Sequence, residues 1–355
     1  MTGRPFEVRD DLREVRPYRA PQADAPVRLN TNESPWPPPK GYLEELSARV
    51  ASLDLNRYPD RDARALRAAL AARHGWDPEG VWVANGSNEI LQTLLLTFGG
   101  AGRRLVLFRP TYAMYEHIAR VTATEVASKD VPEPWTLDAE TVAWGVSFEP
   151  PAITMICSPN NPTGNAHPPA VVAAALDAGP GLVVVDEAYG EFGGESAVAL
   201  LEQHPRLVVV RSFSKSWRLA GARIGYALAH PWLVEAMQIV RLPYHLSSLT
   251  QAAGEVALRH QQQILGQIGE IIAERDRLAK ELERVPGVEV FVSDANFLLC
   301  RTPWEGARLW RALADAGVLV RDFSEMIPRA LRITVGTADQ NLTFVETMRS
   351  VLADG

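Results

Sequence analysis

"RLVVVRSFSKSWRLAGARIG", residues 206–225, joins an aliphatic run to a cluster of hydroxyl and basic side chains. Valine and leucine fill both faces of the run 207–210, which is typical of a strand inside a parallel sheet. Ligands of such sheets bind at the carboxyl ends of the strands. Lys215 follows this strand and therefore stands at a binding-site position. Three roles are open to it: a helix-surface charge, a phosphate clamp, or an amine nucleophile that forms a Schiff base.

Similar aliphatic runs recur along the chain and alternate with segments of helical period. These runs are "GVWVANG", "RRLVLFRP", "ITMICSPNNP" and "GLVVVDEAYG". Their rhythm predicts an α/β fold, in which helices cover both faces of a mostly parallel mixed sheet. We expect this large domain over residues 43–245.

The segments on either side of the large domain differ from it in composition. Residues 1–42 are rich in proline and predict an extended arm without a core of its own. After residue 246, apolar residues at helical spacing predict one long linking helix over about 250–284. A strand-helix-strand pattern follows and closes with a helix over 339–352, so we expect a smaller α/β domain within 246–355.

The composition is that of an ordinary soluble globular protein and favours small molecules over nucleic acid as its partners. The 355 residues are 46% hydrophobic and 22% charged, with a formal net charge of -7. No cluster of lysine and arginine indicates nucleic acid as a partner, and no apolar run approaches the ~20 residues of a membrane span. The N-terminal residues are polar, and Cys157 and Cys300 lie in apolar runs, so we expect a cytoplasmic protein. The histidine spacing predicts no metal site.

Polar residues follow several of the predicted strands at the same edge of the sheet. "NGSNEI", residues 85–90, is either a plain helix start or an anion site made by free N–H groups and the helix dipole. Tyr112 comes just after another strand, where it packs against the core or stacks on a ligand. Asn160 and Asn161 lie in a turn-rich segment that is either a surface loop or a rigid pair of amide donors.

A carboxylate and a basic cluster complete this set. Asp186 ends the run "LVVVD", where it is a solvated cap or a buried carboxylate that needs a cation. Lys215 is flanked by Ser212 and Ser214 and is followed by Arg223.

The combined set matches the needs of pyridoxal phosphate. The phosphate of this cofactor binds N–H groups, hydroxyls and a guanidinium, its aldehyde binds a lysine, and its ring nitrogen pairs with an acid. The chain lacks the GxGxxG and GxxxxGK[ST] patterns of nicotinamide and P-loop enzymes. The residues therefore predict pyridoxal phosphate as the cofactor.

Four motifs resemble those of the fold-type I, pyridoxal-phosphate-dependent aminotransferases. They are "SPNNPTG", "DEAY", "SFSK" with an arginine eight residues after the lysine, and "LRITVGT". Within that family the chain is similar to the histidinol-phosphate aminotransferases, from "RPY" and "LNTNESP" through "NRYPD" and "RLPYHLSSLTQ" to "GVLVRDF". The resemblance implies the fold-type I architecture, with the cofactor bound to the large domain. It also implies that the arm packs on the small domain or on a dimer partner.

The resemblance assigns a role to each candidate site residue. Lys215 would bind the cofactor aldehyde, and Asp186 would pair with the ring nitrogen. Asn161 and Tyr189 would hydrogen-bond the ring oxygen, and Tyr112 would stack on the ring. The residues implied to hold the cofactor phosphate are Ser87, Asn88, Ser212, Ser214, Arg223 and, from the other subunit of a homodimer with shared active sites, Tyr58. The implied substrate-binding residues are Tyr18, Asn32, Arg321 and Arg332.

The resemblance implies a reaction that interconverts L-histidinol phosphate and 2-oxoglutarate with imidazole-acetol phosphate and L-glutamate, in histidine biosynthesis.

Four residues depart from the family pattern: Asn88 replaces a frequent aspartate, Trp217 and Arg218 are bulky, and His245 replaces a common asparagine. We expect these positions to border the substrate pocket. They leave open an aromatic amino-acid aminotransferase or a threonine-phosphate decarboxylase of the same fold. A non-catalytic pyridoxal-phosphate-binding regulatory domain is a more distant alternative, because no basic helix-turn-helix segment precedes residue 43.

Overall fold

A computed structural model describes residues 8–13, 15, 25–147 and 153–353. The strands are Val27–Arg28 (β1), Val81–Ala84 (β2), Arg104–Arg109 (β3), Glu125–Asp130 (β4), Ile153–Cys157 (β5), Leu182–Asp186 (β6), Leu207–Ser212 (β7), Gly225–Ala229 (β8), Glu289–Val290 (β9), Phe297–Arg301 (β10), Val318–Leu319 (β11), Arg321–Asp322 (β12) and Ala330–Thr334 (β13). The helices are Lys40–Ala51 (α1), Arg64–His74 (α2), Ser87–Phe98 (α3), Met114–Val121 (α4), Ala139–Ser147 (α5), Pro169–Ala178 (α6), Pro231–Met237 (α7), Ser248–Arg259 (α8), Gln261–Leu265 (α9), Ile268–Glu283 (α10), Gly306–Asp315 (α11) and Ala338–Ala353 (α12).

A seven-stranded sheet in the order β2-β8-β7-β6-β5-β3-β4 forms the centre of the molecule. Its neighbouring strands are parallel except where β8 pairs antiparallel with β2 and β7. Successive residues of β6 point into different apolar layers: Val183 and Val185 into one, Val184 into the other. Helices pack on both layers, which confirms the predicted α/β architecture.

A smaller antiparallel sheet in the order β12-β13-β10-β9 lies near the C-terminus. Its core includes Leu282 of α10, Leu309 of α11 and Phe344 of α12, together with Val27 and Leu29 from the N-terminal segment. That segment also adds a strand, because β1 pairs in parallel with β11. The limits 1–42, 43–245 and 246–355 stay predictions, and the predicted last helix is confirmed as α12.

The prediction of one long helix over about 250–284 is wrong, because α8, α9 and α10 are separate. His260 leaves the helical conformation after α8, and its ring bonds Glu45 of α1 at 2.6 Å. Gly266 follows α9, and glycine is a poor helix former. The helical spacing of apolar residues continues through both breaks and therefore hid them. Ile264 before the break at Gly266 and Ile271 after it are both buried. Within the described ranges, the structure contains no helix with both the length and the apolar character of a membrane span.

Candidate active site

A cavity of about 340 Å³ lies at the carboxyl ends of β5, β6 and β7, the edge where the sequence predicts a site. The strand register brings these ends together, because Cys157 pairs with Asp186 and Asp186 with Val210. The predicted residues that line this cavity are Asn32, Ser87, Asn88, Tyr112, Asn161, Asp186, Tyr189, Ser212, Ser214, Lys215, Arg223, Arg321 and Arg332.

One end of the cavity is a cradle suited to an anion. Ser87 begins α3, and strand β8 passes close to this helix start at Gly225. Only glycine fits at position 225, because a Cβ there would lie 2.5 Å from the Ser87 nitrogen. Gly86 has a φ of +88°, and a Cβ there would lie 2.5 Å from Arg223 Nη2. Arg223 Nη1 also lies 3.4 Å from Ser214 Oγ. N–H groups, hydroxyls and a guanidinium around a space free of side chains are the donors that bind a phosphate.

Asp186 lies at the floor of the cavity and is 3% exposed. Its carboxylate accepts hydrogen bonds from Tyr115 Oη at 2.8 Å and from the Ala188 N–H at 3.0 Å. Burial raises the pKa of Asp186 to about 6, although both hydrogen bonds oppose the rise. Among the described residues these partners are neutral, so the carboxylate is suited to a cation that enters the cavity, such as a protonated pyridine ring.

Tyr115 and Cys157 are two buried residues of this floor that sequence reasoning missed. Tyr115 comes three residues after Tyr112 at the start of α4, and this spacing is the signal that indicates a second inward aromatic. Cys157 ends β5 next to Asp186, and burial raises its thiol pKa, so the thiol stays protonated.

Lys215 lies inside the cavity, where its Nζ donates to the carbonyl oxygen of Thr31 at 2.9 Å. Burial first, and then the charges of Arg332 and Arg223, lower the pKa of Lys215 to about 8. With this pKa, roughly a tenth of the amine is neutral at pH 7, far more than in an ordinary lysine. The nucleophile interpretation therefore fits the structure better than a helix-surface charge.

Arg332 of β13 supplies a cation to the cavity from the smaller sheet. Its Nη1 donates to Asn161 Oδ1 at 2.7 Å, and its Nη2 donates to the Asn30 carbonyl at 2.9 Å. Arg321 of β12 pairs with it in the strand register, so both guanidinium groups belong to the smaller sheet. Two arginines that line the cavity from the smaller sheet make this part of it suited to a carboxylate or phosphate.

The remaining predicted residues lie in different surroundings. Tyr112 Oη donates to Asn88 Oδ1 at 3.4 Å. Asn32 is 1% exposed, and its Nδ2 donates to Tyr189 Oη at 3.0 Å. Tyr58 lies outside the lining of this cavity and is 80% exposed. Tyr18 lies outside the described residues.

Asn160 is a structural residue in this fold rather than an anion donor. Its side chain bonds Thr111, the Pro110 carbonyl and Thr163. It therefore holds the turn that presents Asn161 to the cavity.

The expectation that the departing residues border the pocket is wrong for three of the four. Trp217 is fully buried in the core behind the sheet edge. Arg218 donates to the carbonyls of Pro37 and Ile264, and His245 Nε2 lies 3.0 Å from the Val83 carbonyl. These three side chains satisfy packing and backbone needs, whereas Asn88 does line the cavity.

Residues 25–348 match the sequence profile of the family "Aminotransferase class I and II". A histidinol-phosphate aminotransferase of Frankia casuarinae is 48% identical over 97% of this chain and 90% of its own length. One of Thermobifida fusca is 46% identical over 96% of this chain and 94% of its own. The structure of histidinol-phosphate aminotransferase from Sinorhizobium meliloti in complex with pyridoxal-5'-phosphate has a TM-score of 0.88 at 24% identity, covers 98% of both chains and shows the same fold. The chain therefore belongs to the class I and II aminotransferases and, within them, to the histidinol-phosphate aminotransferases.

Proposed function

We propose that the protein transfers an amino group between L-histidinol phosphate and 2-oxoglutarate, which gives imidazole-acetol phosphate and L-glutamate. One observation carries the proposal: a single cavity is lined by Lys215, the buried acid Asp186, the glycine-shaped anion cradle and Arg332. The relatives named histidinol-phosphate aminotransferases, at 45–48% identity, support the choice of substrate.

The family membership confirms the predicted enzyme class, fold type and cofactor, pyridoxal phosphate. When bound, this cofactor supplies an aldehyde that reacts with amines and a protonated ring that withdraws electrons from the substrate Cα. The cradle around Gly86, Ser87 and Arg223 is suited to its phosphate. Asp186 is suited to its ring nitrogen, because a buried carboxylate without a cation favours a positively charged partner.

Lys215 has two tasks in the proposed reaction. As a neutral amine it would hold the cofactor through the aldehyde, and when a substrate amine frees it, its Nζ would accept the proton from the substrate Cα and pass it on to the cofactor. The lowered pKa of about 8 keeps part of the lysine neutral, so that it can accept this proton.

Arg332 is the residue proposed to hold the acidic group of each substrate. A guanidinium forms two parallel hydrogen bonds with either a carboxylate or a phosphate, so one residue serves glutamate and histidinol phosphate in turn. Arg321 lies beside it in the strand register and adds a second positive charge for the phosphate.

We also propose a homodimer whose two active sites are shared, with Tyr58 reaching the cofactor phosphate of the other subunit. Tyr58 stacks on Tyr244 at 4.3 Å while remaining 80% exposed. Leu55, Ile239 and Leu242 are exposed at 64%, 83% and 75%. They belong to the two short segments that the contact between Tyr58 and Tyr244 joins, and exposed apolar side chains brought together are typical of an interaction surface. The free, buried thiols of Cys157 and Cys300 support the proposal of a cytoplasmic location.

A parallel assay tests the substrate assignment. The protein reconstituted with pyridoxal phosphate is incubated separately with histidinol phosphate, phenylalanine and threonine phosphate, with 2-oxoglutarate as acceptor. We expect the largest kcat/KM for histidinol phosphate. A larger value for phenylalanine, or release of CO₂ from threonine phosphate, would assign the protein to one of the two alternatives. Cofactor binding without turnover of any substrate would indicate the regulatory alternative.

A further inference from the structure

Asn32 connects three distant parts of the chain although it carries no charge. Its backbone N–H donates to Thr334 Oγ1 at 2.9 Å, and its Oδ1 accepts from the same hydroxyl at 3.0 Å. Its carbonyl accepts from Asn296 Nδ2 at 3.2 Å. Its Nδ2 donates to Tyr189 Oη at 3.0 Å. Asn32 is 1% exposed and has a φ of 55°, so this arrangement holds it in the left-handed region.

The contacts with Thr334 fix which way the Asn32 amide points. A backbone N–H only donates, so Thr334 Oγ1 must accept from Asn32 N. The single hydroxyl proton of Thr334 then goes to its other partner in the described structure, Asn32 Oδ1. With Oδ1 facing Thr334, the NH₂ group of Asn32 must face Tyr189.

This orientation determines the direction of the Tyr189 proton. An amide NH₂ group donates and does not accept, so the phenol oxygen of Tyr189 accepts from Asn32. The phenol proton must therefore point away from Asn32. Tyr189 lines the cavity, and two cations lie close to it there: Lys215 Nζ is 5.9 Å from the ring centroid, and the charge of Arg332 also acts on the phenol. Within the described ranges, no protein acceptor competes for this proton.

We propose that Asn32 and Thr334 fix Tyr189 as a hydrogen-bond donor to the ring oxygen of the bound cofactor. Asn32 is then a positioning residue that acts through Tyr189, rather than a residue that touches the substrate. The inference rests on the proposed function, because the acceptor is an atom of pyridoxal phosphate.

A pH titration of the visible absorption of the reconstituted protein tests this arrangement. Negative charge on the cofactor ring oxygen helps to retain the proton on the nitrogen that joins the cofactor to Lys215. A hydrogen bond donated by Tyr189 withdraws part of that negative charge and so makes the proton easier to lose. Tyr189→Phe should therefore raise the midpoint of the absorption change by about one pH unit. Asn32→Asp replaces the NH₂ group by an acceptor of the same shape, which turns the phenol proton away from the cofactor, so we expect a similar rise.

Two further variants separate proton direction from charge and from damage to the fold. Thr334→Val removes the hydroxyl that orients the amide and should raise the midpoint by a smaller amount. Thr334→Ser keeps the hydroxyl and is the matched control, with the wild-type midpoint expected. In a Tyr189→Phe background, Asn32→Asp should cause no further rise, because no phenol proton is left to redirect.

The outcomes separate this inference from the proposed function. If Tyr189→Phe leaves the midpoint unchanged, Tyr189 does not donate to the cofactor and the role proposed for it is wrong. If Tyr189→Phe shifts the midpoint while Asn32→Asp and Thr334→Val titrate like the wild type, the inference alone is overturned. A rise with Asn32→Asp that persists in the Tyr189→Phe background would be a charge effect and would also overturn it. If Asn32→Asp does not fold, the difference between Thr334→Val and Thr334→Ser decides.

Discussion

The two sides of the cavity are built in different ways. The cofactor side comes from strand ends and the turns directly after them: Asp186 ends β6, and Lys215 follows β7 by three residues. The substrate side comes from contacts between residues 302 positions apart, such as Asn32 with Thr334 and Asn30 with Arg332. The backbone positions of the first side are therefore set by the sheet, although Lys215 Nζ also bonds the distant Thr31 carbonyl, whereas the second side depends on the whole chain being in place.

The largest expected effect is on the cofactor side, at Lys215. Lys215→Ala removes the group that we propose both holds the cofactor and acts as the base, so turnover should fall by at least roughly 10⁴-fold. Borohydride reduction should no longer attach the cofactor covalently, and mass spectrometry measures this directly. Covalent labelling of the variant would show that another lysine holds the cofactor and would remove the centre of this side.

Asp186→Ala should have the second largest effect. Without the buried acid the ring nitrogen loses its proton and becomes a poor electron acceptor, so kcat should fall by roughly 10²-fold or more. The dissociation constant for pyridoxal phosphate should change much less, because the anion cradle is separate from this carboxylate. Equilibrium dialysis and steady-state kinetics on the same preparation compare the two losses. Turnover equal to that of the wild type would contradict the role of Asp186.

Arg332→Lys tests the substrate side. A lysine offers a point charge in place of a two-pronged fork, so both half-reactions should weaken by about 1.5–3 kcal/mol, or roughly 10- to 150-fold in kcat/KM. The absorption spectrum of the bound cofactor should stay the same, which separates this side from the other.

Arg284→Lys is the matched control for this substitution, since Arg284 lies 68% exposed in a surface ion pair with Glu281. Its kinetics should equal those of the wild type. Half-reactions of Arg332→Lys that match this control would mean that Arg332 has only a structural role.

Mixed dimers test whether a second subunit belongs to the cofactor side. Tyr58→Asp should damage only the partner's site through repulsion of the cofactor phosphate, whereas Lys215→Ala inactivates its own site. In a mixed dimer both lesions fall in one site and the other is intact. A refolded equal mixture should regain about a quarter of wild-type activity, because about half of the dimers are mixed and each has one good site. Subunits that exchange in native mass spectrometry yet stay inactive would refute the shared site.

The smallest effect is expected at Tyr115, which supports Asp186. The Tyr115 hydrogen bond lowers the pKa of Asp186 against the effect of burial, so Tyr115→Phe should raise this pKa above about 6. Protonated Asp186 cannot pair with a cationic ring. As the pH is lowered, the cofactor-free protein loses affinity for pyridoxal phosphate when Asp186 becomes protonated. In the variant this loss should begin at a pH higher by up to about one unit.

Binding titrations from pH 5 to 8 measure this shift at Tyr115. Tyr42→Phe is the matched control, because Tyr42 is also buried but its hydroxyl lies 3.4 Å from the Ala253 carbonyl, outside the cavity lining. An affinity profile for Tyr115→Phe that overlays the profile of this control would exclude the supporting role.

The difference between the two sides also explains how much could be predicted from the sequence. Aliphatic runs that end in polar residues predict both the sheet and the positions of Asp186 and Lys215, since strand ends of a parallel sheet meet at one edge. The buried state of Asn32 and its bond to Tyr189 could not be predicted, because no local pattern encodes a contact across the chain. The breaks at His260 and Gly266 were hidden because the apolar period continues through them.

The contact between Asn32 and Thr334 also has a consequence for protein synthesis. Domains generally fold as units while the chain leaves the ribosome, with the N-terminal part first. The last strand of the large sheet, β8, ends at Ala229, so the cofactor side has all its residues when about two-thirds of the chain has been made. Residues 30–32 emerge much earlier but find their partners only when β13 has left the ribosome. We therefore expect a nascent chain to be able to capture pyridoxal phosphate well before it can carry out transamination.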